Sequence, residues 1–331
     1  MNTSNDIVSV ETIWEEIKKV YNPVFLEKLI EIPGARVYAF GGIVIDPSLG
    51  KKWKDLDIRV ILDLPPDERD RTVLAILEQH TNIIQRFSFA EGTVIRVKVP
   101  GGKDMIIDIG IANSLQKFRS DFKAAAIFID LKTGEVAEQG ESCVEDFRNR
   151  IVRTLDEPNA QFEFEPRIMF RALKFAVKTG FSIDPELGEI MRQKKALIQK
   201  ALDETVLHIQ EFGRDSMTEY YLGNIFGGLK TNAEVYVDLL FTYGFLEEMC
   251  RYLQKLCGEK KNIIILNNAS AFKEPGSLEN KLSLLFSTFA KSISDTPSVC
   301  FESIKKIFAM DSNRSDGGEF TIDPAKIVFV P

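Results

Sequence analysis

The spacing of apolar positions changes along this chain: alternating or unbroken apolar runs dominate its first half, and helical spacing takes over from about residue 160. Residues 9–32 read as one or two amphipathic helices ahead of a first strand, ARVYAFGG, at 35–42. A loop leads to a second strand over 54–60, and PPDERD then turns into a helix. That helix covers roughly 66–80, with Val73, Leu74, Ile76 and Leu77 at helical spacing. TVIRVKV and MIIDIGI, separated by PGGKD, form the clearest hairpin in the chain. A further strand, AAAIFIDL, lies at 124–131 and ends in the turn KTGE. These elements predict a small mixed sheet of about five strands with a helix or two on one side. Farther on, a helix at about 165–179 stops at Gly180, a C-terminal cap. Other helices are expected near 185–209, 211–228, 231–242, 245–257, 276–292 and 297–309. The closing stretch, DSNRSDGGEFTIDPAKIVFVP, is expected to be loosely held. The fold class expected is α+β, a mixed sheet followed by an all-helical part.

Composition narrows the partners little. With 331 residues, 44% of them hydrophobic and 27% charged, the chain has room for two or three domains and an ordinary buried core. The N-terminus, MNTSNDIVSVETIWEEIKKV, has neither a basic start nor an apolar core, and no run approaches the ~18–20 apolar residues of a spanning helix. A cytoplasmic protein with no membrane segment is therefore expected. Cys143, Cys250, Cys257 and Cys300 form no CxxC pair, and the two histidines, His80 and His208, lie far from them. Free thiols are the simpler reading, and a zinc site is not expected. A net charge of −7 argues against nonspecific coating of nucleic acid, while leaving room for a local basic patch.

The chemistry concentrates in GGIVIDPSLGKKWKDLDIRV at 41–60. Gly41 and Gly42 carry no Cβ and let the backbone approach a phosphate closely. On a strand, Asp55 and Asp57 point to one face and jointly suit a divalent metal. A phosphate cradle joined to paired carboxylates is the minimal equipment for nucleotidyl transfer; the plainer alternative is a hairpin with a solvated edge. Fixing two ions takes a third carboxylate from a neighbouring strand. Asp108 in MIIDIGI is the candidate, projecting with Ile106 and Gly110 away from the Ile107–Ile109–Ile111 face, unless it sits on an edge strand in water.

These residues resemble, in register, the first signature of class II tRNA nucleotidyltransferases and bacterial poly(A) polymerases, GGxVRDxLLGxxxxDxD. Gly41, Gly42, Val44, Asp46, Leu49, Gly50, Asp55 and Asp57 match. KFRSDFKAAAIFIDL is similar to the family's RRDFTINAL segment through Arg119, Asp121 and Phe122, with Lys123 in the threonine position and Ala125 in the asparagine position. EDFRNRIVRTL at 145–155 resembles a third segment through Asp146, Arg150 and Arg153. FEPRIMFRALKFAVKTGFSID at 164–184 resembles EDPxRxLRAxRFAAxLGFxI. There Arg167, Arg171, Lys174 and Lys178, spaced 4, 3 and 4, are expected to line one helix face, as phosphate contacts or as a solvated stripe. GRDSMTEYYLGNIFGGLKTNAEVYVDLLFTYGFLEEM at 213–249 is similar to the family's helical body, and the resemblance covers about residues 35–250.

The resemblance implies a division into an N-terminal helical extension (1–34), a nucleotidyltransferase head (35–158), a helical neck and body (159–257) and a divergent C-terminal region (258–331). It implies metal-dependent transfer of NMP from an NTP, with ATP the expected nucleotide, to an RNA 3′ end. Two Mg²⁺ ions, or Mn²⁺ in their place, would be held by Asp55, Asp57 and Asp108. Gly41, Gly42, Arg59, Arg119, Asp121, Lys123, Glu165, Arg171 and Lys174 would bind the nucleotide. Two departures bear on base choice. The family's template Asp and Arg are Glu165 and Ile168 here, and Ile45 stands where the first signature has Arg, a charge that Arg59 is positioned to supply. Base selection is therefore expected to differ from that of a CCA-adding enzyme. The same chemistry on a protein or small-molecule acceptor, and a binding module without turnover, are the two other readings.

Overall fold

The structure is a computed structural model that describes residues 7–89, 92–100, 106–117, 120–212, 216–245 and 248–249. The chain divides after Asp156 into two compact units. The helices expected over 276–292 and 297–309, most of that over 245–257, and the closing stretch lie outside the described residues.

The first unit opens with α1 (Val10–Lys18), capped by the Ser9 hydroxyl, which accepts from the Thr12 amide at 3.3 Å, and α2 (Val24–Glu31). Ile13 and Ile17 of α1 and Phe25, Leu26 and Leu29 of α2 are buried, the helical apolar spacing read over 9–32. Seven strands follow: β1 (Arg36–Phe40), β2 (Leu56–Ile61), β3 (Asn82–Phe89), β4 (Gly92–Lys98), β5 (Ile106–Ala112), β6 (Ile127–Asp130) and β7 (Val136–Glu138). Their order in the sheet is β3-β4-β5-β2-β1-β6-β7. The β2–β5 pair is parallel and the other pairs are antiparallel. Helices α3 (Gly42–Ser48), α4 (Pro66–His80) and α5 (Cys143–Arg148) complete the unit, with α4 packed against β3, β4 and β5. Ile58, Val60, Ile95, Val97, Ile107, Ile109 and Ile111 are fully buried, each contributing about 1.5–3 kcal/mol of apolar transfer.

The sheet is two strands larger than expected. β3, NIIQRFSF, shows no clean alternation because almost every residue along it is exposed at the sheet edge. β7 has three residues; the turn before it is closed by Asp130, whose carboxylate accepts from the Lys132 and Thr133 amides at 2.9 and 3.0 Å. The segment after β1 is a helix, not the expected loop. Ile43, Val44, Ile45 and Asp46 are all buried, and a short apolar run buried on every side does not declare its period.

The second unit is helical: α6 (Pro158–Phe164), α7 (Arg167–Thr179), α8 (Pro185–Gln193), α9 (Leu197–Phe212) and α10 (Ser216–Thr242). Helix α7 buries Met169, Phe170, Ala172, Leu173 and Ala176, packs against α10, and stops at Gly180 (φ +80°) as expected. The single helix expected over 185–209 is two, and those expected over 211–228 and 231–242 are joined through a non-helical Asn232 (φ −159°, ψ 100°). Among the described residues no helix is long and apolar enough to cross a membrane.

Candidate active site

Alternation along β2 sends Leu56, Ile58 and Val60 into the core and leaves Asp57 and Arg59 on the opposite face, part-exposed. Asp55 immediately precedes the strand and is exposed. The parallel register sets Asp57 beside Asp108 and Arg59 beside Gly110, and the antiparallel register sets Asp108 beside Arg96 of β4. Asp57, Asp108 and Arg96 thus form one row across three adjacent strands. Asp108 lies on the face the sequence predicts, with Ile107, Ile109 and Ile111 buried behind it.

The glycine pair shapes the end of β1. Gly41 has φ +68°, and a Cβ there would stand 2.8 Å from Asp57 Oδ2, so both its backbone and its side-chain space exclude other residues. This carboxylate is therefore packed against the Gly41 backbone. Gly42 begins α3, and a Cβ on it would meet the Asp55 carbonyl oxygen at 3.5 Å. Because β1 and β6 run antiparallel with Phe40 opposite Phe128, the glycines stand beside the start of β6. Asp121 and Lys123 lie just before that start, held by main-chain bonds from the Leu155 amide to the Asp121 carbonyl and from the Lys123 amide to the Arg153 carbonyl, each 2.9 Å. Asp146 is buried and ion-paired with Arg153, a clasp that fixes this returning segment. Arg119 lies outside the described residues.

Two guanidinium groups share the face with the carboxylates. Arg59 lies over the Phe40 ring, 4.1 Å from its centroid, in space that Gly110 leaves open; a Cβ there would stand 2.5 Å from Arg59 Nη1. Burial pulls Arg59 down to about 10, against the charges of Asp57 and Asp108, so it stays protonated at neutral pH. Arg96 grips Asp108 with two bonds, Nε to Oδ1 at 2.8 Å and Nη2 to Oδ2 at 2.9 Å. Among the described residues no ready-made group of three His, Cys, Asp or Glu side chains is placed around a metal position. Asp108 faces an arginine instead. The carboxylates paired in the sequence stand as Asp57 against Gly41 and Asp55, exposed, just before β2.

Two further residues stand near these carboxylates, Arg96 opposite Asp108 and Tyr21 within the field of Asp55. Arg96 was visible in principle, since hairpin pairing of TVIRVKV with MIIDIGI puts it opposite Asp108. Tyr21 gave no signal. It is 4% exposed, its ring centroid is 6.4 Å from that of Trp53, and its hydroxyl is buried without a hydrogen-bond partner. Burial first, and the Asp55 charge second, push it up to about 12.

In the second unit the expected basic stripe is incomplete. Arg167 turns inward: it is 6% exposed, pairs with Glu165 at 2.8 Å and Glu204 at 3.2 Å, and stacks over Tyr221 at 3.9 Å. Arg167 is the first residue of α7, and the Glu165 carboxylate also accepts its amide at 3.1 Å. Arg171 donates to the Tyr220 hydroxyl at 2.7 Å, and Lys174 to the Gly223 carbonyl at 3.2 Å. Ile168, in the position of the family's template arginine, is 4% exposed, and Ile45 in the first signature is 5% exposed.

No family model matches the chain. In sequence it is similar to the CCA-adding enzyme of Bacillus subtilis (strain 168), 25% identical over 186 residues, or 52% of this chain and 44% of that one. It is 28% identical to the CCA-adding enzyme of Levilactobacillus brevis over 184 residues, again 52% of this chain and 44% of that one. The chain spans less than half the length of these curated relatives. Among solved structures, the Bacillus stearothermophilus CCA-adding enzyme in complex with CTP aligns with a TM-score of 0.56 at 22% identity, over 87% of this chain and 70% of that one. The Thermotoga maritima CCA-adding enzyme complexed with tRNA aligns at 0.52 and 17% identity, over 93% and 70%. The chain resembles CCA-adding enzymes in sequence, and it shares its α+β fold with their solved structures.

Proposed function

We propose that the chain is a template-independent nucleotidyltransferase that moves a nucleoside monophosphate from an NTP, ATP foremost, to an RNA 3′ end. The observation that carries this reading is Asp57 packed on the positive-φ Gly41, with Asp55 two residues before it, in the stretch that resembles the nucleotidyltransferase signature. Asp55 and Asp57 would hold divalent metal, Mg²⁺ or Mn²⁺. When bound, such an ion lowers the pKa of an attacking hydroxyl and neutralises the departing pyrophosphate. Gly41 and Gly42 give the triphosphate a close approach to backbone, and Lys123 and Asp121, carried beside them by the start of β6, are assigned to the phosphates and ribose. Arg119 shares that assignment by sequence. Glu165, Arg171 and Lys174 are assigned to nucleotide or RNA contact on the helical unit.

One observation favours a second acceptor class. Ile168 offers no hydrogen bond to a base and is buried, so the family's amino-acid template is not reproduced in kind. The same transfer to a protein or small molecule is the alternative.

The test is incubation with Mg²⁺, each α-³²P-labelled NTP, and total tRNA, mixed RNA or cell lysate, with Asp55→Ala and Asp57→Ala as controls. Label on RNA that disappears in both variants is expected, and its length separates CCA-type from poly(A)-type addition. Label that survives complete ribonuclease treatment moves the assignment to the second acceptor class. Full activity in either aspartate variant would overturn the site.

A further inference from the structure

Asp108 is expected to complete a metal site, yet each of its carboxylate oxygens already takes one bond from the Arg96 fork, at 2.8 and 2.9 Å. A guanidinium has five N–H donors, and a bidentate carboxylate takes two from one edge. The other three, both on Nη1 and one on Nη2, then face away from Asp108. The Arg96 side chain is 34% exposed, with its guanidinium carbon 5.9 Å from the Phe87 ring centroid, so a ligand approaching the sheet face can reach it. Arg59 is the contrasting case, sunk against Phe40 and Gly110. Cross-strand register fixes Arg96 two positions along the row from Asp57, with Asp108 between them. The arrangement is a carboxylate, its neighbour acting as a counter-ion, and a pre-aimed guanidinium.

The geometry points to Arg96 as a phosphate-positioning residue for the incoming triphosphate, with Asp108 as the counter-ion that aims it and not as a metal ligand. This rests on the nucleotidyltransferase reading and assigns that site an anion contact that no signature residue supplies. Arginine suits the task because its planar fork is held at one end and remains bidentate at the other. With Asp108 neutralised by Arg96, the metal-binding charge falls to Asp55 and Asp57.

The experiment measures equilibrium binding to the full chain, with free Mn²⁺ followed by electron paramagnetic resonance and tripolyphosphate and α,β-methylene-ATP followed by calorimetry. The variants are Arg96→Gln, Arg96→Lys, Asp108→Asn, Asp57→Asn and the double variant Arg96→Gln/Asp108→Asn, which leaves no unpaired carboxylate behind. Loss of one charge-assisted fork predicts affinity for both phosphate ligands reduced about 10- to 100-fold in Arg96→Gln and in the double variant. Arg96→Lys should recover part of that loss. Mn²⁺ affinity should change less than about 3-fold in Asp108→Asn and collapse in Asp57→Asn. Unchanged tripolyphosphate affinity in the folded double variant overturns the assignment of Arg96. Loss of Mn²⁺ binding in Asp108→Asn to the level of Asp57→Asn overturns the assignment of Asp108. A wild-type chain that binds neither Mn²⁺ nor tripolyphosphate would instead remove the nucleotidyltransferase reading and this inference with it.

Discussion

Gly41 joins backbone conformation to chemistry at a single residue. An alanine there must adopt φ +68° and place its Cβ 2.8 Å from the Asp57 carboxylate. Backbone strain alone costs of order 1–3 kcal/mol, and relief requires Asp57 to move. Gly41→Ala is therefore expected to lower stability by that amount and to cut transfer by about 100-fold, the loss that a small misplacement of a positioned group produces. Denaturant titration and single-turnover kinetics on the same preparation check it; an active, destabilised variant would uncouple the glycine from the carboxylate. Tyr21 poses the opposite case, a buried hydroxyl without a partner. Tyr21→Phe removes a desolvation cost without opening a cavity, so it should be neutral or stabilising at pH 7. The sign with pH follows from its pKa, raised from 10 to about 12. Below 10 the phenol is neutral in both the folded and the unfolded chain. Between 10 and 12 the unfolded chain ionises first, so wild-type stability falls there, and the advantage of Tyr21→Phe should widen over that window. Thermal midpoints of both proteins from pH 7 upward test this. The sequence showed which face Asp57 and Asp108 take because strand alternation is strict, whereas Asp55 lies just outside β2. The sequence hid Tyr21, whose relation to Asp55 depends on how helices and loops pack.

At the scale of elements, period was legible where one face is buried and the other is not. The β4–β5 hairpin fell in the expected place, and its register could have been used to foresee Arg96 beside Asp108. Helix α3 was hidden because Ile43, Val44 and Ile45 are all buried, and β3 because it is exposed along nearly its whole length. Neither segment has the half-buried pattern that reveals a period. Helix α7 shows a subtler limit. Spacing correctly put Arg167 in line with Arg171, but the start of a helix offers inward directions that its middle does not. Arg167 there satisfies Glu165 and Glu204 beneath Tyr221. Arg167→Ala should leave the Glu165 carboxylate without its cation, Glu204 keeping Lys200 at 3.9 Å, and destabilise the helical unit by about 3 kcal/mol. Arg171→Ala, at the part-exposed surface, should cost less than about 1 kcal/mol. Urea denaturation compares the two, and equal effects would contradict the inward assignment of Arg167.

For the whole molecule, charge sets the terms on which an RNA could be held. A net charge of −7 opposes general attraction to a polyanion, so any RNA affinity must come from a few local cations. With Arg167 turned inward, the stripe on α7 reduces to Arg171, Lys174 and Lys178, all part-exposed. Each phosphate contact to a single strand contributes about −0.7 to the slope of log K against log salt, so three give a slope of about −2. A proposed RNA 3′-end enzyme built this way should show that shallow dependence, with Arg171→Gln, Lys174→Gln and Lys178→Gln each reducing it by roughly 0.7. Fluorescence anisotropy with a short labelled RNA over a salt series provides the measurement. A slope steeper than about −4 would mean that a broader basic surface is engaged than α7 presents. A slope near zero with transfer intact would point to an acceptor other than RNA. The two proposed contacts are separable as well, because tripolyphosphate binding through Arg96 would belong to the sheet unit and should be insensitive to substitutions on α7.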